Sequence, residues 1–194
     1  MRVGRAGLRW GAALVLAASS SMAGAEVLSY SAFLSGATEA TPNASPAMGK
    51  AMIAVDTVLH TMQVDVVFAG LLGPTTAAHI HCCTLPTAGV ATSLPTFTGF
   101  PSGVTSGSYS HLFDLTLASS WNPVFVTNHG GTTASAELAL LAGLDDELAY
   151  LNVHTQVFPG GEIRGFLRAV PEPASLSLLG LAGGVMTLMR KRRP

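Results

Sequence analysis

The stretch Thr61-Met-Gln-Val-Asp-Val-Val-Phe68 alternates with a period of two: Met62, Val64, Val66 and Phe68 fall on one side, Gln63 and Asp65 on the other. Successive side chains of a strand point to opposite faces, so this is the pattern of a half-buried β-strand. The same reading extends outward in both directions. In Leu28-Ser-Tyr-Ser-Ala-Phe-Leu34, residues Leu28, Tyr30, Ala32 and Leu34 share a face; in His111-Leu-Phe-Asp-Leu-Thr-Leu117, Phe113, Leu115 and Leu117 do. In Tyr150-Leu-Asn-Val-His-Thr-Gln-Val157, Leu151, Val153, Thr155 and Val157 oppose Asn152, His154 and Gln156. A last strand is predicted over residues 163–170, after the Gly160-Gly161 turn. Short strands punctuated by Gly, Pro and Asn predict an all-β, antiparallel sandwich rather than a helical or βαβ fold. Residues 134–142, rich in Ala and Leu, are the exception: a short helix ended by Gly143. Residues 86–110, rich in Gly, Pro, Thr and Ser, read as a long loop, and loops of that length are more often functional than structural.

The chain has 194 residues, 48% of them hydrophobic and only 11% charged. Much of the apolar excess sits in two terminal runs, residues 10–18 and 174–189. Between Glu26 and Arg168 stand ten acidic side chains against Lys50, Arg164 and Arg168, a net of about −7. Such a body excludes nucleic acid as a partner, because phosphate binding needs clustered Lys and Arg. The other cations lie at the ends, where they read as membrane-orienting charges. Residues 1–25 have the three parts of a secretory signal: Arg2, Arg5 and Arg9, a short apolar core from Gly11 to Ala18, and the small-residue cleavage pattern Ala23-Gly24-Ala25. That core is too short to span about 30 Å of hydrocarbon. The expected partners are the Sec export machinery and signal peptidase.

At the other end, residues 170–194 run Val-Pro-Glu-Pro, then an apolar helix predicted over 174–189, then Arg190-Lys-Arg-Arg193. The cations should stay cytoplasmic by the positive-inside rule. The order Pro171-Glu172-Pro173, apolar helix, Arg cluster resembles the PEP-CTERM sorting signal of Gram-negative bacteria that make exopolysaccharide. The resemblance implies that an exosortase recognises the motif and removes the tail, so that the inner-membrane anchor is transient and the protein ends at the cell surface or outside the cell.

The body, residues 26–169, resembles the CHRD domain. The motifs are Phe33-Leu-Ser-Gly-Ala-Thr-Glu39, Ala78-His-Ile-His81, Tyr150-Leu-Asn-Val-His-Thr155 and Pro159-Gly-Gly-Glu-Ile-Arg-Gly165. The resemblance implies an immunoglobulin-like β-sandwich or barrel, similar in outline to the copper/zinc superoxide dismutase barrel, and brings no enzymatic activity with it.

His79 and His81 flank Ile80, so in a strand they point to the same face about 6.5–7 Å apart. Two imidazoles so placed can share one metal ion, and His154, on the polar face of its strand, supplies a third ligand if the strands are neighbours. Three neutral imidazoles with an open position suit zinc or copper. The competing reading is a hydrogen-bond network in which these histidines pair with Asn152, Glu162 or backbone groups. His60, His111 and His129 lack such context and read as surface or loop residues. Cys82 and Cys83, the chain's two cysteines, favour a vicinal disulfide in an oxidising setting; thiolate ligation beside His79 and His81 and bonds to another chain are the alternatives. Glu162 and Arg164, at i and i+2, are expected to form a structural pair on one face of the last strand. A dismutase needs more histidines than these, and no nucleophile motif or nucleotide loop is present. The expectation is a non-enzymatic, exported β-domain protein of the cell surface or exopolysaccharide matrix, with a metal-binding or redox protein as the alternative.

Overall fold

The computed structural model describes residues 27–171. The signal segment 1–25, the apolar helix expected over 174–189, and Glu172 and Pro173 of the sorting motif lie outside the described residues. Among the described residues no helix is long and apolar enough to cross a membrane.

The elements in chain order are β1 (Val27–Ser35), a 3-10 turn (Gly36–Thr38), β2 (Met48–Asp56), β3 (Thr61–Ala69), β4 (Thr75–Cys82), β5 (Gly89–Val90) and β6 (Gly107–Asp114). A second 3-10 turn (Ala118–Ser120), α1 (Pro123–Asn128), α2 (Thr133–Asp145), β7 (Ala149–Thr155), β8 (Ile163–Phe166) and β9 (Arg168–Ala169) follow. The strands form one sheet in the order β5-β4-β7-β8-β1-β2-β3-β6, with β9 beside β1, and every pairing is antiparallel. The fold is therefore all-β, as the alternation predicts. In place of two separate layers it has a continuous curled sheet, a half-barrel wrapped around its own inner face.

That inner face is the core. Leu34, Ile53, Met62, Val64, Ile80, Leu151, Val153 and Ile163 are all buried on it. Full burial of such a side chain contributes about 1.5–3 kcal/mol before entropy is counted. The loop after β5 closes the open side: Phe97 packs on Tyr109 and Phe113, and its amide donates to the Ala78 carbonyl.

Several expectations need correction. β2 escapes a hydropathy reading because its inward residues include Gly49 and Ala51 while Met52 points outward. The strand expected to reach Leu117 stops at Asp114, and Leu117 is exposed; Leu115 stays buried with its carbonyl accepting the Trp121 indole N–H. Val157 is likewise exposed beyond the end of β7. The last strand breaks at Leu167 into β8, which pairs with β7, and β9, which pairs with β1. The loop expected over 86–110 holds the short β5 and gives way to β6 at Gly107. α1 arises from Asn122-Pro123, the asparagine side chain accepting from the Val124 amide and proline occupying the first turn, where its missing N–H costs nothing.

Gly143 does not end its helix. α2 runs two residues further, and Gly143 faces β4: a Cβ there would stand 2.2 Å from Cys82 Sγ and 3.0 Å from Cys83 Sγ. Glycine is required by close packing, and that requirement overrides its usual role as a helix stop.

Candidate metal centre

β4 and β7 are neighbours, with His79 opposite Asn152, His81 opposite Tyr150 and Ala77 opposite His154. Register therefore puts His79, His81 and His154 on one face, the outer one, while Ala78, Ile80, Leu151 and Val153 fill the core on the other. The three ring centroids lie 5.3–6.0 Å apart (His79–His81 5.8 Å, His79–His154 5.3 Å, His81–His154 6.0 Å). One ring nitrogen from each histidine comes within 4.8 Å of the others.

Three loops set the ring orientations. His79 Nε2 bonds the Pro95 carbonyl at 2.7 Å, His81 Nδ1 the Ala88 carbonyl at 2.9 Å, and His154 Nδ1 the Pro159 carbonyl at 2.9 Å. A carbonyl only accepts, so each bonded nitrogen carries the proton. The remaining nitrogens, His79 Nδ1, His81 Nε2 and His154 Nε2, are buried lone pairs with no hydrogen-bond partner. Neutral rings are what the electrostatics favour. Burial pulls His79 down to about 4, with the Pro95 carbonyl opposing and His154 and His81 adding to the fall. Burial likewise lowers His81 and His154 below the ordinary imidazole value.

Around the rings stands a further set of polar groups. Tyr150 stacks on His81 with centroids 4.9 Å apart, and the Arg164 guanidinium lies 4.6 Å above the Tyr150 ring. Asn152 donates from Nδ2 to Glu39 Oε2, leaving Asn152 Oδ1 and Glu39 Oε1 buried without partners. Burial raises the Glu39 carboxyl to about 7 against the opposing pull of Arg164. Gly161, at φ +125°, lets its loop press onto the Asn152 amide, where a Cβ would stand 2.4 Å from Nδ2.

Glu162 and Arg164 do not pair with each other. The Glu162 carboxylate accepts from Ser45 Oγ, the Leu72 amide and Thr155 Oγ1. Arg164 donates to the Thr38 and Pro86 carbonyls. Both charges are buried against loops, which satisfy them separately; the expected same-face pair supposed an exposed strand. Among the described residues the ion pairs are His60–Glu137 and Arg168–Glu147. Cys82 and Cys83 are joined in a disulfide whose sulfurs lie against Ala139 and Gly143 of α2, so neither is a thiolate donor. His60, His111 and His129 stay apart from the cluster, on Glu137, between Tyr109 and Phe113, and on the Phe125 carbonyl.

Sequence reasoning missed Glu39 as the partner of Asn152, which stands opposite His79. Glu39 lies 113 residues from Asn152, a separation at which no local periodicity operates; its place in the first family motif was the only signal.

A family model described as the CHRD domain matches residues 30–167. No curated protein and no solved structure matches the chain.

Proposed function

Because the chain belongs to the CHRD domain family, we propose that it is an exported β-domain module that holds one transition-metal ion through His79 Nδ1, His81 Nε2 and His154 Nε2. One observation carries this reading: the three rings bring one nitrogen each within 4.8 Å of the others, and each ring keeps a buried, unprotonated nitrogen while its N–H is committed to a backbone carbonyl. Metal-ligating histidines are oriented in this way, the outer N–H fixing tautomer and ring plane. The competing hydrogen-bond network accounts for one nitrogen of each ring, through the Pro95, Ala88 and Pro159 carbonyls, and leaves the other nitrogen without a donor. Glu162 accepts from Ser45, Leu72 and Thr155 and has no proton to offer, and the Asn152 amide nitrogen bonds Glu39. A lone water has only two protons to offer three lone pairs. A zinc or copper ion satisfies all three at once.

The module comprises residues 26–169, between a signal peptide (1–25) and a PEP-CTERM segment (170–194) that an exosortase removes, leaving the protein at the cell surface or among exopolysaccharide. The motivation is the pair of address signals bracketing a β body of net negative charge. No catalytic role is assigned to it.

Elemental analysis of the full-length chain, loaded with zinc or copper and desalted, tests the metal reading. The expected result is about one ion per chain, lost in His81→Ala and in His154→Ala while the β-sheet circular dichroism is kept. A wild-type chain that retains neither metal overturns it. Cell fractionation tests the export reading independently: mature protein confined to the cytoplasm rejects it.

A further inference from the structure

We propose that the ion this cluster selects is monovalent copper, held three-coordinate by nitrogen alone. The inference rests on the metal reading above and goes beyond it in the charge and coordination number of the ion.

The donor set is the first reason. The convergent group holds three imidazoles and no carboxylate, and the disulfide removes both cysteines as donors. Three neutral ligands leave the whole charge of a bound ion uncompensated. The desolvation cost grows as the square of the charge, so a dication costs about four times as much to bury as a monocation. Zinc sites in proteins ordinarily meet that cost with thiolates, a carboxylate or a water open to solvent.

The neighbours are the second reason. Arg164 is buried and permanently charged, stacked on the Tyr150 ring that in turn stacks on His81. The Glu39 carboxyl is engaged by Asn152 and lies outside the convergent donor group. The surroundings thus hold a fixed cation beside three neutral donors.

Closure is the third. The three free nitrogens are buried, while the loops carrying Ala88, Pro95 and Pro159 hold the opposite nitrogens. A tetrahedral dication needs a fourth ligand, and among the described residues no fourth donor side chain joins the group. A closed-shell monocation is satisfied by three nitrogens in a trigonal arrangement.

The test is a pair of competition titrations on the full-length chain at pH 7 under nitrogen. Copper(I) is supplied from its bicinchoninate complex, and zinc(II) competes against a chromophoric chelator. One equivalent of copper(I) should bind at least about 1,000-fold more tightly than zinc(II), a factor worth three decades of dissociation constant. X-ray absorption of the copper-loaded chain should show three nitrogen neighbours near about 2.0 Å. Zinc(II) bound as tightly as copper(I), or a fourth light-atom ligand on the copper, overturns this inference and leaves the metal reading standing. Binding of neither ion overturns both. The affinities are those of the wild-type chain, so the outcome does not depend on a histidine variant that folds.

Discussion

The outer faces of the two halves of the sheet make a contrast. On the β2–β3–β6 half the outer face meets solvent: Met52, Val67 and Leu112 are exposed, and β3 shows buried and open residues in strict alternation. On the β4–β7–β8 half, loops cover the outer face as well, and every residue of β7 except His154 is buried. A strand covered on one side needs apolar residues on that side alone. A strand covered on both sides must account for every polar group it carries. On that second half, Glu162 and Arg164 have partners, and the three histidine nitrogens are left over together with Asn152 Oδ1 and Glu39 Oε1. Imperfect satisfaction confined to one patch of a well-satisfied surface marks a site.

The largest effect should follow from crowding the inner side of the covered half. Gly143→Ala drives a methyl group into the Cys82–Cys83 sulfurs, and overpacking of this kind costs about 1–3 kcal/mol. Thermal unfolding should fall by about 2–4 °C for each kcal/mol lost. An unchanged midpoint would mean that α2 and β4 separate easily.

Acid should act on the outer side of the same half, more weakly because two contributions oppose. The three histidines have lowered folded values, so their stabilisation is full above the ordinary imidazole value of 6.5 and is lost as pH falls below it, for His79 toward about 4. Glu39 runs the other way: raised to about 7, it favours the fold most below its ordinary 4.5 and loses that contribution as pH climbs through 7. With three groups against one, the melting temperature of metal-free protein should rise from pH 4 to 6.5, and Glu39→Gln should steepen the rise. A flat profile in the variant would show that the rings are not held neutral by burial.

The smallest effect belongs to the open half. Leu112→Thr removes an exposed apolar side chain from β6 and should change stability by no more than about 0.5 kcal/mol, as surface substitutions do. A loss several times larger in a denaturant titration would show that this face is covered in solution and would erase the contrast.

The same contrast explains what could be read from the sequence. β3, open on one side, announces itself through Met62, Val64, Val66 and Phe68 against Gln63 and Asp65. β7 is legible in its inward residues, but its outward set reads as solvent-facing although Asn152 is buried, because its cover comes from distant loops. The spacing of His79 and His81 is a local signal and reads correctly as a shared face. Their meeting with His154 depends on strand order, which periodicity does not encode. Gly143 misled for the same reason: as the residue closing an Ala- and Leu-rich run it signals a helix end, and only the sulfurs on β4 show why it lies inside.

The proposed ligands also belong to distant parts of the chain. His81 and His154 are about 70 residues apart, and their pairing closes a loop of the kind that slows folding. A peptide carrying only the His-Ile-His segment would bring two of the three donors, so an ion meeting the newly made chain has little to grip until β4 and β7 have joined. An ion held as proposed would act as a late clasp: it would lower the free energy of the finished topology and of no earlier species, slowing unfolding while leaving the search for the native state undisturbed.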